Sequence, residues 1–298
     1  MKLILKIPAI IIFLITIQYR VQSQDLVRLI AVEICNCVDT IENMDSLEAK
    51  LDRCFPESFE TVMNLLDEEI QERLDEAKLE EIIDGVYNNL LNYCPKIKIF
   101  ILNEKEKTYY KMSDSEKAKE YYFSGNKAFE AGDYKTAQKQ YQKAIKEDPG
   151  WVLPYDNLGL TYRKSDKYKK AVKCFEKSLK IFPEGWIALQ NQAAAYTFLN
   201  NYIYAMNNYD MLINLYPDNP EGYFGMARIL VLIKDYENAL VYAFRSHKMY
   251  LENKSEHSKD SEQLLSMIYE RLKEQNKESM FFDKAKQFGV NIILNQIP

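Results

Sequence analysis

Histidine is nearly absent from this chain of 298 residues, which holds only His247 and His257. A Gly-rich phosphate loop, a nucleophile elbow and a metal-spaced His cluster are missing as well, and with them the usual equipment for phosphoryl transfer, acyl transfer and metal-assisted hydrolysis. Paired carboxylates abound, but in helix-face patterns that solvation explains. No catalytic residue, cofactor or metal ligand is expected, and the chain does not read as an enzyme. Glycine and proline are scarce, nine of each, which excludes a turn-rich β architecture and favours helices. A concentrated basic stripe is lacking too: the basic excess is spread over about 200 residues, so nucleic-acid binding is not expected. Long apolar runs are also missing. The longest, Ile7 to Ile17, covers 11 residues, too few for a bilayer span of about 20.

That short run has the flanks of a secretory signal peptide. Lys2 and Lys6 precede it, and Val21-Gln22-Ser23 offers short residues where a signal peptidase reads. The expected leader is residues 1–23, with the mature chain starting at Gln24 in an extracytoplasmic compartment, secreted or periplasmic, and with no transmembrane segment left after cleavage. Apolar content is 47% and charged content 28%, near globular norms, so the rest can bury a core.

The net charge of −5 conceals a division. Residues 24–95 carry 18 acidic and five basic residues, a net of −13, whereas residues 96–298 carry 31 basic and 26 acidic, a net of +5. Four of the five cysteines, Cys35, Cys37, Cys54 and Cys94, lie in the acidic segment. In an exported helical module four cysteines suggest two disulfides. Residues two apart on a helix point in different directions, so Cys35 and Cys37 should pair separately with Cys54 and Cys94, in an order the spacing does not give.

Apolar spacing within 24–95 predicts a helix from Leu26, a short second one through Leu47, Leu51 and Cys54, a third from Phe59 to Leu74, and a fourth from Leu79 to Leu91. Asp39-Thr40, Asp45-Ser46 and Pro56 stand as candidate helix starts. Residues 96–115 read as a linker, within which Ile97 to Leu102 is either an isolated strand or a packed segment.

From Ala118 onward the sequence repeats in steps of 34, with no insertion. Small residues recur as Gly125, Gly159, Ala193 and Ala227, tyrosines as Tyr134, Tyr168, Tyr202 and Tyr236, and alanines as Ala137, Ala171, Ala205 and Ala239. Large rings recur as Tyr141, Phe175 and Tyr209, and prolines as Pro149, Pro183 and Pro217. Each unit fits two antiparallel helices that approach closely at the small positions, with a proline ending the second. The pattern resembles the tetratricopeptide repeat (TPR) family over residues 116–252, four units. Residues 253–298 read as a degenerate fifth pair that caps the stack. The fold class is all-α: a TPR solenoid, a right-handed superhelix, preceded by a small disulfide-containing helical module.

The resemblance implies a concave groove lined by the first helix of each unit, and a role as adaptor or scaffold for a protein or peptide. The groove residues it implies are Tyr122, Asn126, Phe129, Asp156, Asn157, Leu160, Arg163, Gln190, Asn191, Ala194, Phe224 and Arg228. Chaperone-binding TPR domains use two asparagines and three cations to hold a carboxylate terminus. Asn126 and Asn157 match the asparagines, but Tyr122, Ile187 and Asn191 stand at the cation positions, so that ligand class is not expected. Two other readings stand beside the adaptor: a structural component that self-associates, and a thiol–disulfide enzyme using Cys35-x-Cys37.

Overall fold

The first helix of the chain shows why the acidic segment folds. In the computed structural model, which describes residues 23–290, α1 (Ser23–Cys37) places Leu26, Ile30 and Ile34 at intervals of four, all essentially inaccessible to solvent. That apolar stripe packs on α2 (Met44–Met63) and α4 (Glu76–Tyr93), where Leu47, Cys54, Ile82 and Val86 close the core. Apart from Ser23, the expected leader lies outside the described residues, as do residues 291–298.

Two disulfides tie this core. Cys35 pairs with Cys94, Cα–Cα 5.2 Å, and Cys37 with Cys54, 5.7 Å. The separate pairing expected from the sequence is therefore present, and the order is now given. α1 is held at one cysteine to the end of α4 and at the next to the middle of α2.

Several helix bounds differ from those predicted. α2 starts after Asn43, whose side chain accepts from Ser46 N while Ser46 Oγ accepts from Asn43 N; this reciprocal cap prevails over Asp39-Thr40 and Asp45-Ser46. Pro56 does not start a helix but sits inside α2. An interior proline forfeits one backbone hydrogen bond; here the buried Cys54 and Ser58 on either side hold the helix against the core. The predicted third helix breaks after Met63, where Gln71 Nε2 donates to the Met63 and Leu66 carbonyls, and resumes as the single turn α3 (Glu68–Gln71). Leu65 is left 61% exposed.

The contact pattern divides the chain after Ile101. The expected linker is largely α5 (Pro95–Tyr109), neither strand nor loop: a six-residue apolar run fits either element, and Pro95 at the first helical position favours the helix. From Lys105 on, this segment builds into the repeats. Lys105 Nζ meets Glu184 Oε1 at 2.5 Å, Tyr109 stacks on Phe182 at 4.8 Å, Trp151 Nε1 donates to the Lys111 carbonyl and Ser113 Oγ to Asp148.

The hairpins follow the 34-residue period. They are α6 (Glu116–Glu130) with α7 (Tyr134–Glu147), α8 (Val152–Lys164) with α9 (Tyr168–Ile181), α10 (Trp186–Phe198) with α11 (Tyr202–Leu215), and α12 (Pro220–Leu232) with α13 (Tyr236–Glu252). The recurring tyrosine is the first residue of every second helix. The small position before it works by contact: a Cβ on Gly125 would stand 2.6 Å from the Tyr141 ring, and one on Gly159 2.5 Å from the Phe175 ring. α14 (Ser258–Glu274) and α15 (Glu278–Phe288) add a fifth hairpin. Leu264, Ile268, Leu272 and Phe281 extend the core around Phe244, and the polar residues face outward, as a cap requires. No strand occurs among the described residues.

Candidate functional site

The first helices α6, α8, α10 and α12 touch in succession, so their side chains share one surface. At its amino-terminal end Asn126, Phe129, Glu130, Tyr141, Asn157 and Leu160 line a cavity of about 280 Å3. Four of the expected groove residues, Asn126, Phe129, Asn157 and Leu160, meet there. Tyr141, one of the recurring large rings, is not among the expected groove residues. It belongs to α7, and reaches the cavity over Gly125, which leaves room for its ring.

The two asparagines are held in one orientation by a hydrogen-bond cluster. Tyr141 Oη donates to Asn126 Oδ1 at 2.7 Å. Asn157 Nδ2 donates to the same oxygen at 3.0 Å and to Tyr122 Oη at 3.1 Å. Burial pushes the Tyr122 and Tyr141 hydroxyls well above their ordinary range, so both stay neutral and can donate. With its oxygen occupied, Asn126 presents amide hydrogens. With its nitrogen occupied, Asn157 presents an oxygen. One donor and one acceptor beside Leu160 and Phe129 is the set that an extended peptide backbone with an apolar side chain engages. The signal for Tyr141 was its hydroxyl: the next unit has Phe175 at this position, and a buried tyrosine needs a partner where phenylalanine needs none.

Other expected groove residues are placed differently. Asp156 is fully buried and does not line the surface. Tyr110, whose hydroxyl reaches the Gly185 turn, is near it, as is Ser178 of α9. Neither Asp156 oxygen completes a hydrogen bond, and burial pushes its carboxyl from 3.8 up to about 7. Tyr122 is also buried, under Trp151 with ring centroids 4.7 Å apart, and serves to hold Asn157. Asn191 is buried with its amide donating to the Ile187 carbonyl at 2.8 Å. For Asp156 and Tyr122 the covering residues are Tyr110 of the segment after α5 and Trp151 of the turn between α7 and α8.

Further along, Gln190 Nε2 donates to Glu221 Oε2 at 3.0 Å, and Tyr250 Oη donates to Glu221 Oε1 at 2.7 Å. Phe224 stands edge-on to Tyr250 at 5.9 Å, with the exposed Arg228 guanidinium 5.9 Å from its ring centroid. Ala194 and Arg163 are partly exposed between these ends. No cation occupies the positions of Tyr122, Ile187 or Asn191.

Hairpins in fixed 34-residue register, stacked with first helices adjacent, define a tetratricopeptide-repeat solenoid, and residues 157–184 match the model of the tetratricopeptide repeat family. Among solved structures, a MamA fragment from Desulfovibrio magneticus RS-1 is similar over 59% of this chain and 95% of its own, with 13% identity and a TM-score of 0.50. The first TPR domain of Spaghetti (RPAP3), solved bound to the HSP90 peptide SRMEEVD, is similar over 41% of this chain and 96% of its own, with 25% identity and a TM-score of 0.40. The second TPR domain of human RPAP3, in complex with the HSP70 peptide SGPTIEEVD, covers 38% of this chain and 97% of its own, with 24% identity and a TM-score of 0.36. No curated protein matches the sequence.

Proposed function

We propose that this protein is an exported adaptor that holds an extended segment of another protein in the groove of its TPR solenoid, and that it has no catalytic role. The observation that carries the reading is the oriented pair Asn126 and Asn157 beside Leu160 and Phe129, a donor, an acceptor and an apolar seat with no cation. The segment it suits has apolar side chains and no terminal carboxylate to clamp. Export is supported by the leader read in residues 1–23 and by the two disulfides of the acidic module. Cys35 and Cys37 serve different bridges, with Cys54 and Cys94 buried, an arrangement suited to structure rather than to dithiol exchange.

The test is capture from extracts of the exported compartment by immobilised wild-type chain and by Leu160→Glu, which places a charge in the cavity. A partner held by the first and lost by the second, with matching circular dichroism for both, is the expected result. Equal capture would remove the groove from the function.

A further inference from the structure

The basic excess of the repeats is not spread out once folded. α7 and α9 together hold nine lysines and two glutamates, a net of +7, more than the whole excess of +5 over residues 96–298. The arrangement is periodic. Lys135, Lys139, Lys143 and Lys146 form a row along α7, and each recurs as lysine 34 residues later on α9. All of them are exposed. Among the described residues none of the nine enters an ion pair, although lysines elsewhere, such as Lys105, Lys117 and Lys277, do. On α11 the same positions carry no charge: Ile203 is 75% and Met211 44% exposed. The outward face of the second helices thus reads lysine on α7, lysine on α9 and uncharged on α11, where Asn207 and Asn214 fill the other two positions.

The acidic module carries the complementary order on one helix. Glu76, Glu80 and Asp84 follow each other at intervals of four on the exposed side of α4, and Tyr87 and Leu91, 62% and 40% exposed, continue the same side. We infer that the lysine face of α7 and α9 binds the α4 face of a second copy of this chain. Three observations select this occupant. The module has a net charge of −13; its carboxylates have helical spacing, as the lysines do; and Tyr87 and Leu91 at the end of α4 have apolar counterparts in the exposed Ile203 and Met211 of α11. Because the two surfaces differ, the contact is head-to-tail and extends into open chains. Lysine ammonium groups are hydrated point charges, so the contact is steered by charge and weakens steeply with salt. It uses neither the groove nor any residue of the cavity, and stands or falls apart from the reading above.

Sedimentation of the full purified chain at about 0.02 M and about 0.5 M salt tests it, these limits bracketing the screening range. The wild type is expected to associate at low salt and to lose at least tenfold in affinity at high salt. Lys135→Glu, Lys139→Glu, Lys169→Glu and Lys173→Glu combined should give a monomer. All four side chains are exposed, Lys135 and Lys169 lie in first turns, where acidic side chains suit the helix dipole, and circular dichroism will show the fold retained. Glu80→Lys with Asp84→Lys should also be monomeric, and mixing the two variants should restore association. A wild type that stays monomeric at low salt, or a lysine variant that associates like the wild type, would overturn the proposal. So would capture of the wild type by anionic phospholipid vesicles in place of self-association, which would assign the face to a membrane.

Discussion

Between Ser23 and Ile101 the helices are unlike one another, and two disulfides fix their order. Between Leu102 and Val290 the hairpins are near copies, no disulfide occurs among the described residues, and Cys174 stays buried and reduced. The difference is one of address. In the acidic module, α1 must find α4 across 59 residues and α2 across 17, with a small apolar core and a dense negative charge opposing compaction. In the solenoid every partner is the adjacent hairpin, and a ring seated on a small residue sets each approach. Covalent closure serves the first situation and phase the second.

Reduction should therefore break the comparison most sharply. In the chain-entropy picture, bridges closing 17 and 59 residues contribute about 3 and about 4 kcal/mol, which is most of the stability of a small module. Adding a reductant should melt the acidic module at room temperature while leaving the solenoid's thermal transition unmoved, as followed by hydrogen exchange resolved along the chain. A solenoid that loses protection together with the module would show that the two do not have separate sources of stability.

The next effect belongs to the solenoid alone. Asp156 has its carboxyl raised from 3.8 to about 7 by burial. The folded state thus holds this proton more tightly than the unfolded chain. The resulting stability is fully present below about pH 4, declines as pH rises, and is gone above about pH 7, a span of about 4 kcal/mol. Asp156→Asn keeps the shape and cannot ionise. The wild type minus variant difference in unfolding free energy should fall across that window, leaving the variant more stable at pH 8. A flat difference would mean that Asp156 finds a partner for its charge. His247, buried against Ser261 at 2.8 Å, has its pKa lowered by burial and gives a slope of opposite sign, with stability lost on acidification below about pH 6.5; this is why the difference between variants, not the raw curve, is the measurement.

The solenoid was legible in the sequence because its physics repeats. A small residue recurs at the same place four times, and faces a ring in the first three units, so Gly125, Gly159, Ala193 and Ala227 declare the hairpins together. The acidic module was legible only as helical and disulfide-bonded. Its helix bounds depend on single events, such as the Asn43–Ser46 cap and the Gln71 side chain at the break after Met63, which no second copy corroborates. In the groove, the asparagine pair was visible as residue types in register, whereas the burial of Asp156 and Tyr122 was not. Tyr110 near Asp156 and Trp151 over Tyr122 are residues outside the first helices. The lysine rows lay in plain view at the repeat period but were averaged away when charge was counted over the whole region.

A smaller prediction tests whether phase alone sets the hairpins. A Cβ at Gly159 meets three atoms of the Phe175 ring at 2.5 to 3.0 Å, all part of a buried side chain. Gly159→Ala should destabilise by about 2 kcal/mol, overpacking exceeding the gain in helix propensity of about 1 kcal/mol. The double variant Gly159→Ala with Phe175→Leu should recover part of that loss by denaturant titration. No recovery would place the strain elsewhere than at this ring.

The smallest effect lies at a recurring turn position. Between the two helices of each unit one residue adopts positive φ, at intervals of 34: Gly132 at 75°, Asp166 at 56°, Asn200 at 57° and Lys234 at 65°. Glycine, asparagine and aspartate enter this left-handed region readily; a lysine does so against its Cβ, at about 1 kcal/mol. Lys234 sits in a turn whose backbone is otherwise the same: Asp235 N donates to the Leu230 carbonyl, as Asp133, Lys167 and Asn201 donate to the Ala128, Tyr162 and Tyr196 carbonyls in the units before it. The turn is thus imposed by the repeat rather than chosen by its residue. Lys234→Gly should raise stability by a few tenths to about 1 kcal/mol, the relief of strain exceeding the added freedom of the unfolded chain. Gly132→Lys should cost about the same in the first unit. Opposite signs of similar size from the two exchanges, measured by thermal unfolding, would show that the period fixes the backbone and the side chain only raises or lowers its energy. Loss of stability on Lys234→Gly would mean instead that the lysine stem makes a contact worth more than its strain.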